Sequence, residues 1–277
     1  STLADAEQRA CGWASLESFA QRAWRRPLSP DELGRLQAFW DSALNEGTVE
    51  EAVVLTAAAI LQSPAFLFRI EHGDATNRSG DAIPLTDWEM ASRLSYFLWD
   101  SMPDQVLFEA AQQGQLSTTE EVKAQAERML TDPRARDAVV HFHHQWLGTT
   151  AIQGISPARR VYGPLYGLDP TPPPDTTGDG AWPSVLGPVR HSMEAETHLF
   201  IERTVFDGTG TLKALLTDNH GYLSTVTQPL YGDNTTLLPG PTVDWKYGIV
   251  SSSIGNQSQL TLYPAEFSAK ERAGVLT

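Results

Sequence analysis

Apolar residues recur every three or four positions through most of the chain between Leu3 and Leu147, and again between Val185 and Phe206. This spacing places them on one face of an α-helix, so it predicts a succession of amphipathic helices. The predicted helices are 3–24, 30–46, 49–61, 86–99, 103–113, 117–130, 132–147 and 185–206. The stretch 85–147 is the densest in helical and aromatic residues, and it forms the centre of the predicted fold.

Short polar signatures mark where several of these helices begin. In a capping box, a Ser or Thr side chain accepts from the backbone three residues later, and a Glu at that position accepts from the cap. The pairs that fit this pattern are Ser29/Glu32, Thr48/Glu51, Thr86/Glu89 and Ser117/Glu120. Pro27 and Gly47 mark helix ends, because proline cannot continue a helix and glycine favours the position after one.

The same pattern predicts which helix faces are buried. The helix 49–61 is apolar on nearly every side, which is typical of a buried helix. The helix 86–99 carries a broad apolar face formed by Trp88, Ala91, Leu94, Phe97 and Leu98. After Pro64, the residues AFLFRIEH predict a further short helix.

The amino-acid composition of the chain changes after the predicted helix 132–147. Residues 154–183 contain seven prolines, three of them consecutive, and predict an extended excursion of polyproline II character. After Gly221, the β-prone pieces 222–226, 246–251 and 259–263 predict a small hairpin region or an ordered coil. The closing residues AKERAGVLT have neither a helix cap nor a polar tail, so we expect them to lie in mid-domain.

These patterns predict a mainly α protein: an irregular multi-helix bundle with a proline-rich insertion and a small loop or β-hairpin region at its C-terminus. We expect an N-terminal helical module, a main helical domain that holds the insertion 154–183, and an irregular or β segment that leads into a further domain. Their limits are 1–73, 83–220 and 221–277. The polar, glycine-containing residues 72–82 form the first linker.

Composition and charge narrow the class of protein. Apolar residues make up 41% of the chain and the net charge is −14, so the chain is globular and its average field repels nucleic acid. The basic run 22–26 favours a solvated helix end. No apolar run approaches the roughly 18 residues needed to span a membrane. The lone Cys11 excludes an internal disulfide, and it is either a small buried hydrophobe or the partner of a cysteine elsewhere.

Several long phrases, in order, resemble bacterial families found in planctomycetes and myxobacteria. FAQRAWRRPLSPDEL and SPAFLFRIE are similar to the short module called domain-of-unknown-function family 1595. LTDWEMASRLSYFLWDSMPD, RMLTDPRAR, QWLG and MEAETHLFIERTV resemble the adjoining family 1592. YPAEFSAKERAGVLT resembles the first residues of family 1588, which normally continues well past this point.

The resemblance implies a periplasmic or extracellular protein, often part of a larger polypeptide with c-type haem segments, and no established activity. This chain contains no Cys-x-x-Cys-His, so we expect no covalently attached haem in it. The proline-rich insertion, the histidine cluster and the stretch 223–262 depart from the family phrases.

Two predicted helices carry histidines at spacings that suit a metal ion. His141 and His144 are three residues apart on one helix, and His191, Glu194 and His198 follow one face of another. If the two helices are neighbours, His141, His144, Glu194 and His198 converge, and imidazole with carboxylate suits Zn²⁺ or Fe. The alternative is that these histidines are solvated or packed, because the spacing also occurs without a metal.

Four charged residues, Arg69, Glu71, Arg93 and Glu196, lie among apolar helical segments, where charges need partners. The favoured interpretation is an ion-pair network that fixes helix register, with Arg93 and Glu71 as the first pair to test. The alternative is a substrate-binding or acid–base site in which Arg93, Glu71 and Glu196 are the catalytic candidates.

Other signals leave the chemistry open. The chain contains no Gly-x-Ser-x-Gly, phosphate loop or dinucleotide fingerprint. Ser1 is either a cleavage-site residue or an amino-terminal nucleophile, and an end at Thr277 fits autoproteolysis, processing or truncation. Trp182, Tyr162 and Tyr166 flank the proline tract, where they either stack on sugars or a peptide, or anchor their own loop.

Two hypotheses about function follow. The leading one is a secreted or periplasmic helical module that acts as scaffold or partner-binding part of a larger, redox-associated envelope protein or complex. Its partner is another protein chain or the remainder of a processed precursor. The alternative is a metal-dependent or acid–base enzyme, a hydrolase or oxidoreductase acting on a polymer such as polysaccharide, with its site between helices 139–147 and 189–206. Whether the protein is an enzyme is open at this point.

Overall fold

The chain is mainly α-helical, as its hydrophobic pattern predicts. The structure is a computed structural model that describes residues 2–78, 80–155, 157–170, 181–232, 235–246 and 259–267. The chain forms two compact units, Ser1–Ala138 and Val139–Thr277. The finer domain limits at 73, 83 and 220 follow changes in composition and stay a prediction.

The first unit consists of helices. They are α1 (Thr2–Trp24), α2 (Pro30–Glu46), α3 (Val49–Gln62), α4 (Pro64–Leu67), α5 (Asp87–Trp99), α6 (Gln105–Gln112), α7 (Thr119–Leu130) and the start of α8 (Pro133–Leu147). A 3₁₀ turn at Ala75–Asn77 interrupts the linker before α5. The short helix predicted over AFLFRIEH ends early, because the backbone is already extended at Phe68.

Capping boxes start three of these helices as predicted. In α2, α3 and α5 both reciprocal hydrogen bonds of the box are present. The box of α7 is shifted by one residue, from the predicted Ser117/Glu120 to Thr118/Glu121. The sequence STTEE offers both registers, and the structure takes the later one.

Two apolar cores hold the first unit together. One lies among α1, α2 and α3 around the buried Trp40, with Leu16, Leu36 and Ile60. The other lies among α5, α6 and α7 around Trp99. The indole N–H of Trp99 donates to the carbonyl oxygen of Met129 at 2.9 Å, so the ring is fixed as well as buried.

Three expectations about burial are wrong. The helix α3 is buried only through Ala52, Thr56 and Ile60, which recur every four residues, while Val54 on another face is 67% exposed. Phe97 is 80% exposed, because it lies about 240° around the helix from the buried Ala91. Cys11 is exposed and unpaired among the described residues, so it is not a core side chain.

The second unit is built around one long helix. After α8 come α9 (Arg159–Tyr162), α10 (Ala181–Glu202), α11 (Leu212–Thr217) and α12 (Gln228–Tyr231). The residues between α8 and α10 that the structure describes include 3₁₀ turns at Thr149–Gly154 and Gly163–Tyr166, so this part is not the extended excursion predicted. The consecutive prolines lie in 171–180, outside the described residues.

A small antiparallel sheet follows. Its strands are β1 (His220–Ser224), β2 (Thr235–Leu237), β3 (Val243–Lys246) and β4 (Gln259–Phe267), and β4 pairs with each of the others. Leu223 of β1 faces Tyr263, and Val243 of β3 faces Leu262. The sheet packs on α10 through Leu262 and Leu199. The predicted piece 246–251 lies mostly outside the described residues, as do residues 268–277 at the chain end.

None of the helices in the described ranges combines the length and the apolar character needed to cross a bilayer.

Candidate functional site

A surface cleft of about 1110 Å³ lies in the first unit. The helix α5 lines it with two rows of side chains spaced by four residues, which therefore follow one another along the helix surface. One row is Trp88, Ser92 and Tyr96, and the other is Glu89, Arg93 and Phe97. The helix α2 adds Glu32, Arg35, Leu36 and Phe39. Residues 24–27, 63–65 and 68–72 also line the cleft, together with Ala59 and Thr86.

Arg25 joins the end of α1 to the segment that follows α4. Its side chain is buried, and its guanidinium donates to the carbonyl oxygens of Ala65 at 2.9 Å, Phe66 at 3.2 Å and Phe68 at 3.1 Å. These carbonyl groups bond to the guanidinium and do not continue a helix, which gives a physical reason why α4 is short. The expectation that the basic run 22–26 is solvated is therefore wrong for Arg25.

Two guanidinium groups flank one aromatic ring in the cleft. The central carbon of Arg69 lies 4.3 Å from the ring centroid of Tyr96, and that of Arg25 lies 5.7 Å from it. Cations at this distance from a ring face are attracted by its quadrupole. Tyr96 thus orders the exposed side chain of Arg69 at the cleft.

The predicted pair of Arg93 and Glu71 is present. Arg93 Nε donates to Glu71 Oε1 at 3.0 Å, and a second, short hydrogen bond joins its Nη2 to Oε2. The hydrogen bonds from Arg93 lower the pKa of Glu71, and the same bonds raise the pKa of Arg93. Both side chains are exposed, as is Arg69, so the expectation that these charges are buried among helices is wrong.

A second ion pair lies at the start of α2. Arg26 donates to both carboxylate oxygens of Glu32 at 2.8 Å, and Glu32 also accepts from the backbone of Ser29 at 2.9 Å. The hydrogen bonds from Arg26 are the main cause that lowers the pKa of Glu32 to about 2. This pair ties the cap of α2 to the end of α1.

Glu89 fastens the linker to the start of α5. Its carboxylate accepts from the backbone of His72 at 2.7 Å, of Gly73 at 3.1 Å and of Thr86 at 2.9 Å. Burial raises the pKa of Glu89, but these hydrogen bonds outweigh burial and hold the pKa below its usual value. One side chain therefore caps a helix and closes the preceding turn.

In the second unit, part of the predicted histidine cluster comes together. The rings of His144 and His198 have centroids 6.0 Å apart. Burial, followed by the charge of His144, lowers the pKa of His198 to about 4. Burial also lowers the pKa of His144, against the opposing effect of the Glu194 carboxylate. Both rings are therefore neutral at pH 7.

The other predicted metal ligands have protein partners. Gln145 donates its amide to the ring of His141 at 2.8 Å, and Gln153 donates to Glu194 at 2.5 Å. His144 Nδ1 lies 2.5 Å from the hydroxyl of Thr149. Over the described residues, no group of three or more His, Cys, Asp or Glu side chains is placed where it could hold a metal ion.

Glu196 is the buried acid of the second unit, only 7% exposed. It accepts from the backbone of Ser224 at 3.2 Å, from the hydroxyl of Tyr231 at 3.2 Å, and from the hydroxyl of Thr227 in a short bond. Burial raises the pKa of Glu196 to about 7 and outweighs these three hydrogen bonds, which lower it. The carboxyl joins α10 to the turn after β1 and to α12.

The aromatic residues near the proline tract have different environments. The hydroxyl of Tyr166 donates to the carbonyl oxygen of Val226 at 3.0 Å, so Tyr166 anchors its own loop. Burial, with the charge of Glu196, raises the pKa of Tyr166 to about 12. Tyr162 is exposed, and the side chain of Trp182 lies outside the described residues.

Sequence reasoning placed Arg93 and Glu71 together but did not find the cleft around them. The sequence contains part of the signal for the cleft: Arg93 and Phe97, like Arg35 and Phe39, are four residues apart on one helix. Such pairs indicate a shared face, but which faces enclose a cleft depends on contacts between segments far apart in sequence.

Comparisons with known proteins give families and no named activity. The family model described as PSD5, protein of unknown function (DUF1595), matches residues 11–71. The model described as PSD4, protein of unknown function (DUF1592), matches residues 85–232, more than half of the chain. Neither the curated proteins nor the solved structures contain a significant match. The order of the two matches is the one that the sequence phrases indicate, and the chain belongs to the DUF1592 family.

Proposed function

We propose that the protein is a helical partner-binding module and that a segment of another protein chain docks in the cleft of the first unit. The observation that carries this proposal is the exposure of three phenylalanine rings at the cleft. Phe39, Phe68 and Phe97 expose 44%, 62% and 80% of their surface. Apolar surface left in water costs about 25 cal/mol per Å², and exposed aromatic rings around a cleft are typical of a binding surface.

The rest of the lining supports a protein partner. Binding energy at protein interfaces is concentrated in Trp, Tyr and Arg side chains, often beside well-packed pockets. The cleft contains Trp24, Trp88 and Tyr96 as half-buried rings, with arginines around them. The ring of Trp24 is fixed, since its indole N–H donates to the carbonyl oxygen of Ile60 at 3.2 Å. Fixed aromatic rings lose little conformational entropy when a partner binds.

The family context supports a role in a larger assembly. The resemblance to modules that occur beside c-type haem segments favours a scaffold or partner-binding part of a redox-associated envelope protein or complex, periplasmic or extracellular. The partner is another chain or the remainder of a processed precursor. In either case the docking segment comes from outside the first unit.

Selection from a displayed random-peptide library on the whole chain tests the proposal. We expect recovered peptides whose binding is lost in Phe97→Ser and in Phe68→Ser. Val54→Ser is the matched control, because Val54 is 67% exposed on α3 but does not line the cleft. The circular dichroism spectrum should be unchanged in all three variants, because substitutions at exposed positions change the free energy of unfolding by about 0.5 kcal/mol or less. Failure to recover any peptide that depends on Phe97 would overturn the proposal.

A second candidate is the acid–base enzyme with its site between helices 139–147 and 189–206. Its support is the pair of neutral, half-buried rings of His144 and His198, together with the raised pKa of Glu196. Incubation with soluble polysaccharides and assay of new reducing ends tests it, with His198→Gln as the variant that should lose activity. Absence of new ends in the wild-type protein excludes this hydrolase.

The metal-dependent version of that candidate has its own measurement. Zn²⁺ or Fe at His141, His144, Glu194 and His198 requires roughly one metal per chain in elemental analysis. Content below about 0.1 per chain, with stability unchanged by a chelator, excludes it.

A further inference from the structure

We infer that the segment received by the cleft is acidic, with carboxylates next to an apolar or aromatic anchor residue. This inference rests on the proposed docking function and specifies the chemistry of the partner at the same site. It follows from the charge of the lining, from the arginines that lack a salt bridge, and from the position of each beside an exposed phenylalanine.

The lining is positive although the protein is strongly negative. Five arginines and three glutamates line the cleft, an excess of two positive charges, whereas the whole chain carries a net charge of −14. A concave surface whose charge is opposite to that of the rest of the protein concentrates ligands of the complementary charge. For this positive cleft, such ligands are negatively charged.

Three of the five arginines are already engaged. Arg26 pairs with Glu32, Arg93 pairs with Glu71, and Arg25 is buried with carbonyl oxygens as its closest acceptors. Arg35 and Arg69 are exposed, and over the residues that the structure describes neither forms a salt bridge. The ring of Tyr96 holds the Arg69 side chain in place, so this side chain loses little conformational freedom when it binds an anion.

Each of these two arginines lies next to an exposed ring. Arg35 is four residues before Phe39 on α2, which places the two side chains on one face of that helix. Arg69 follows Phe68 in the segment after α4, and both side chains line the cleft. A ligand that carries a carboxylate beside an apolar side chain can therefore meet a guanidinium and a phenyl ring together. An acidic peptide segment has this combination at the spacing of neighbouring residues.

The test uses the best peptide from the selection on the whole chain, synthesised with a fluorescent label. Versions with each Glu or Asp replaced by Gln or Asn, and by Lys, are compared by fluorescence anisotropy. We expect affinity to fall in the order acidic, neutral, basic, and to weaken between about 50 and about 300 mM salt, where charge screening increases. Arg35→Gln and Arg69→Gln should each weaken the acidic peptide about two- to fivefold, as partly exposed charge pairs do.

Two control variants separate charge from packing. Arg22→Gln removes an exposed arginine of α1 that does not line the cleft, and it should leave the affinity unchanged. Arg69→Lys keeps the charge and should retain more affinity than Arg69→Gln. Peptides that depend on Phe97 but bind equally well in neutral or basic form would overturn this inference and leave the docking function standing. Recovery of no such peptide, or cleft binding of a uronic-acid oligosaccharide alone, would overturn both.

Discussion

The guanidinium group of Arg25 donates a 2.9 Å hydrogen bond to the carbonyl oxygen of Ala65, forty positions further along the chain. Arg25 is 5% exposed, and its backbone is in the left-handed region at φ 61°. Among the described residues its acceptors are carbonyl oxygens and the Tyr96 hydroxyl, which lies 3.5 Å away. A buried cation with several carbonyl acceptors satisfies its donors without a carboxylate. Arg25 therefore fixes the segment that carries Phe68 at the cleft.

Replacing Arg25 with Met should destabilise the protein by about 2–4 kcal/mol, because four carbonyl groups lose their donor and the methionine keeps only the stem of the side chain. Urea unfolding followed by tryptophan fluorescence measures this change. Arg22→Met, on the exposed side of the same helix end, should change the free energy of unfolding by about 0.5 kcal/mol or less. Equal effects of the two substitutions would contradict the assigned role of Arg25.

Glu89→Gln should cost about 1–2 kcal/mol, because one amide oxygen cannot replace two carboxylate oxygens that accept from His72, Gly73 and Thr86. Hydrogen exchange should also quicken at the amides of His72 and Gly73. Glu121→Gln in the box of α7 is the matched control: Glu121 accepts from the adjoining Ser117 and Thr118 and, within the described ranges, from no distant turn. A loss as large in Glu121→Gln as in Glu89→Gln would show that capping alone explains the effect.

Features that depend on near neighbours in sequence were predictable. The boxes at Ser29, Thr48 and Thr86 require only residues three positions apart, so the helix starts followed from the sequence. The start of α7 was displaced by one residue because STTEE contains two equivalent boxes. Strand β2 escaped prediction because a strand of three residues carries too little alternation to identify.

Features that depend on distant contacts were not predictable in the same way. Periodicity placed Phe97 on an apolar face, but the exposure of its ring depends on which neighbours α5 has. The burial of Arg25 depends on α4, whose carbonyl groups accept from it. For the candidate site, the pairing of Arg93 with Glu71 followed from the need of charges for partners. The cleft around that pair is lined by α2 and α5, which are far apart in sequence.

His198→Gln should remove part of the acid sensitivity of the protein. The folded state lowers the pKa of His198 from its ordinary 6.5 to about 4, so the unfolded chain takes up this proton first on acidification. Stability from the neutral ring is present above pH 6.5 and is lost as pH falls toward about 4. Relative to wild type, the variant should therefore gain stability from pH 7 to pH 4.5. Parallel curves for His198→Gln and the wild type would refute the prediction.

Glu196 should produce the opposite slope over a higher range of pH. Burial raises its pKa from the ordinary 4.5 to about 7, so between these values the folded protein holds a proton that the unfolded chain has released. Wild-type stability should then fall as pH rises from about 5 to about 8, with a total change on the order of 3 kcal/mol. In Glu196→Gln the amide does not ionise, and its oxygen still accepts from Ser224 and Thr227. The variant should therefore lose this slope. Between pH 5 and pH 8 its free energy of unfolding should fall less than that of the wild type. Urea unfolding at a series of pH values measures both curves. A slope that persists in Glu196→Gln would assign the titration to another group.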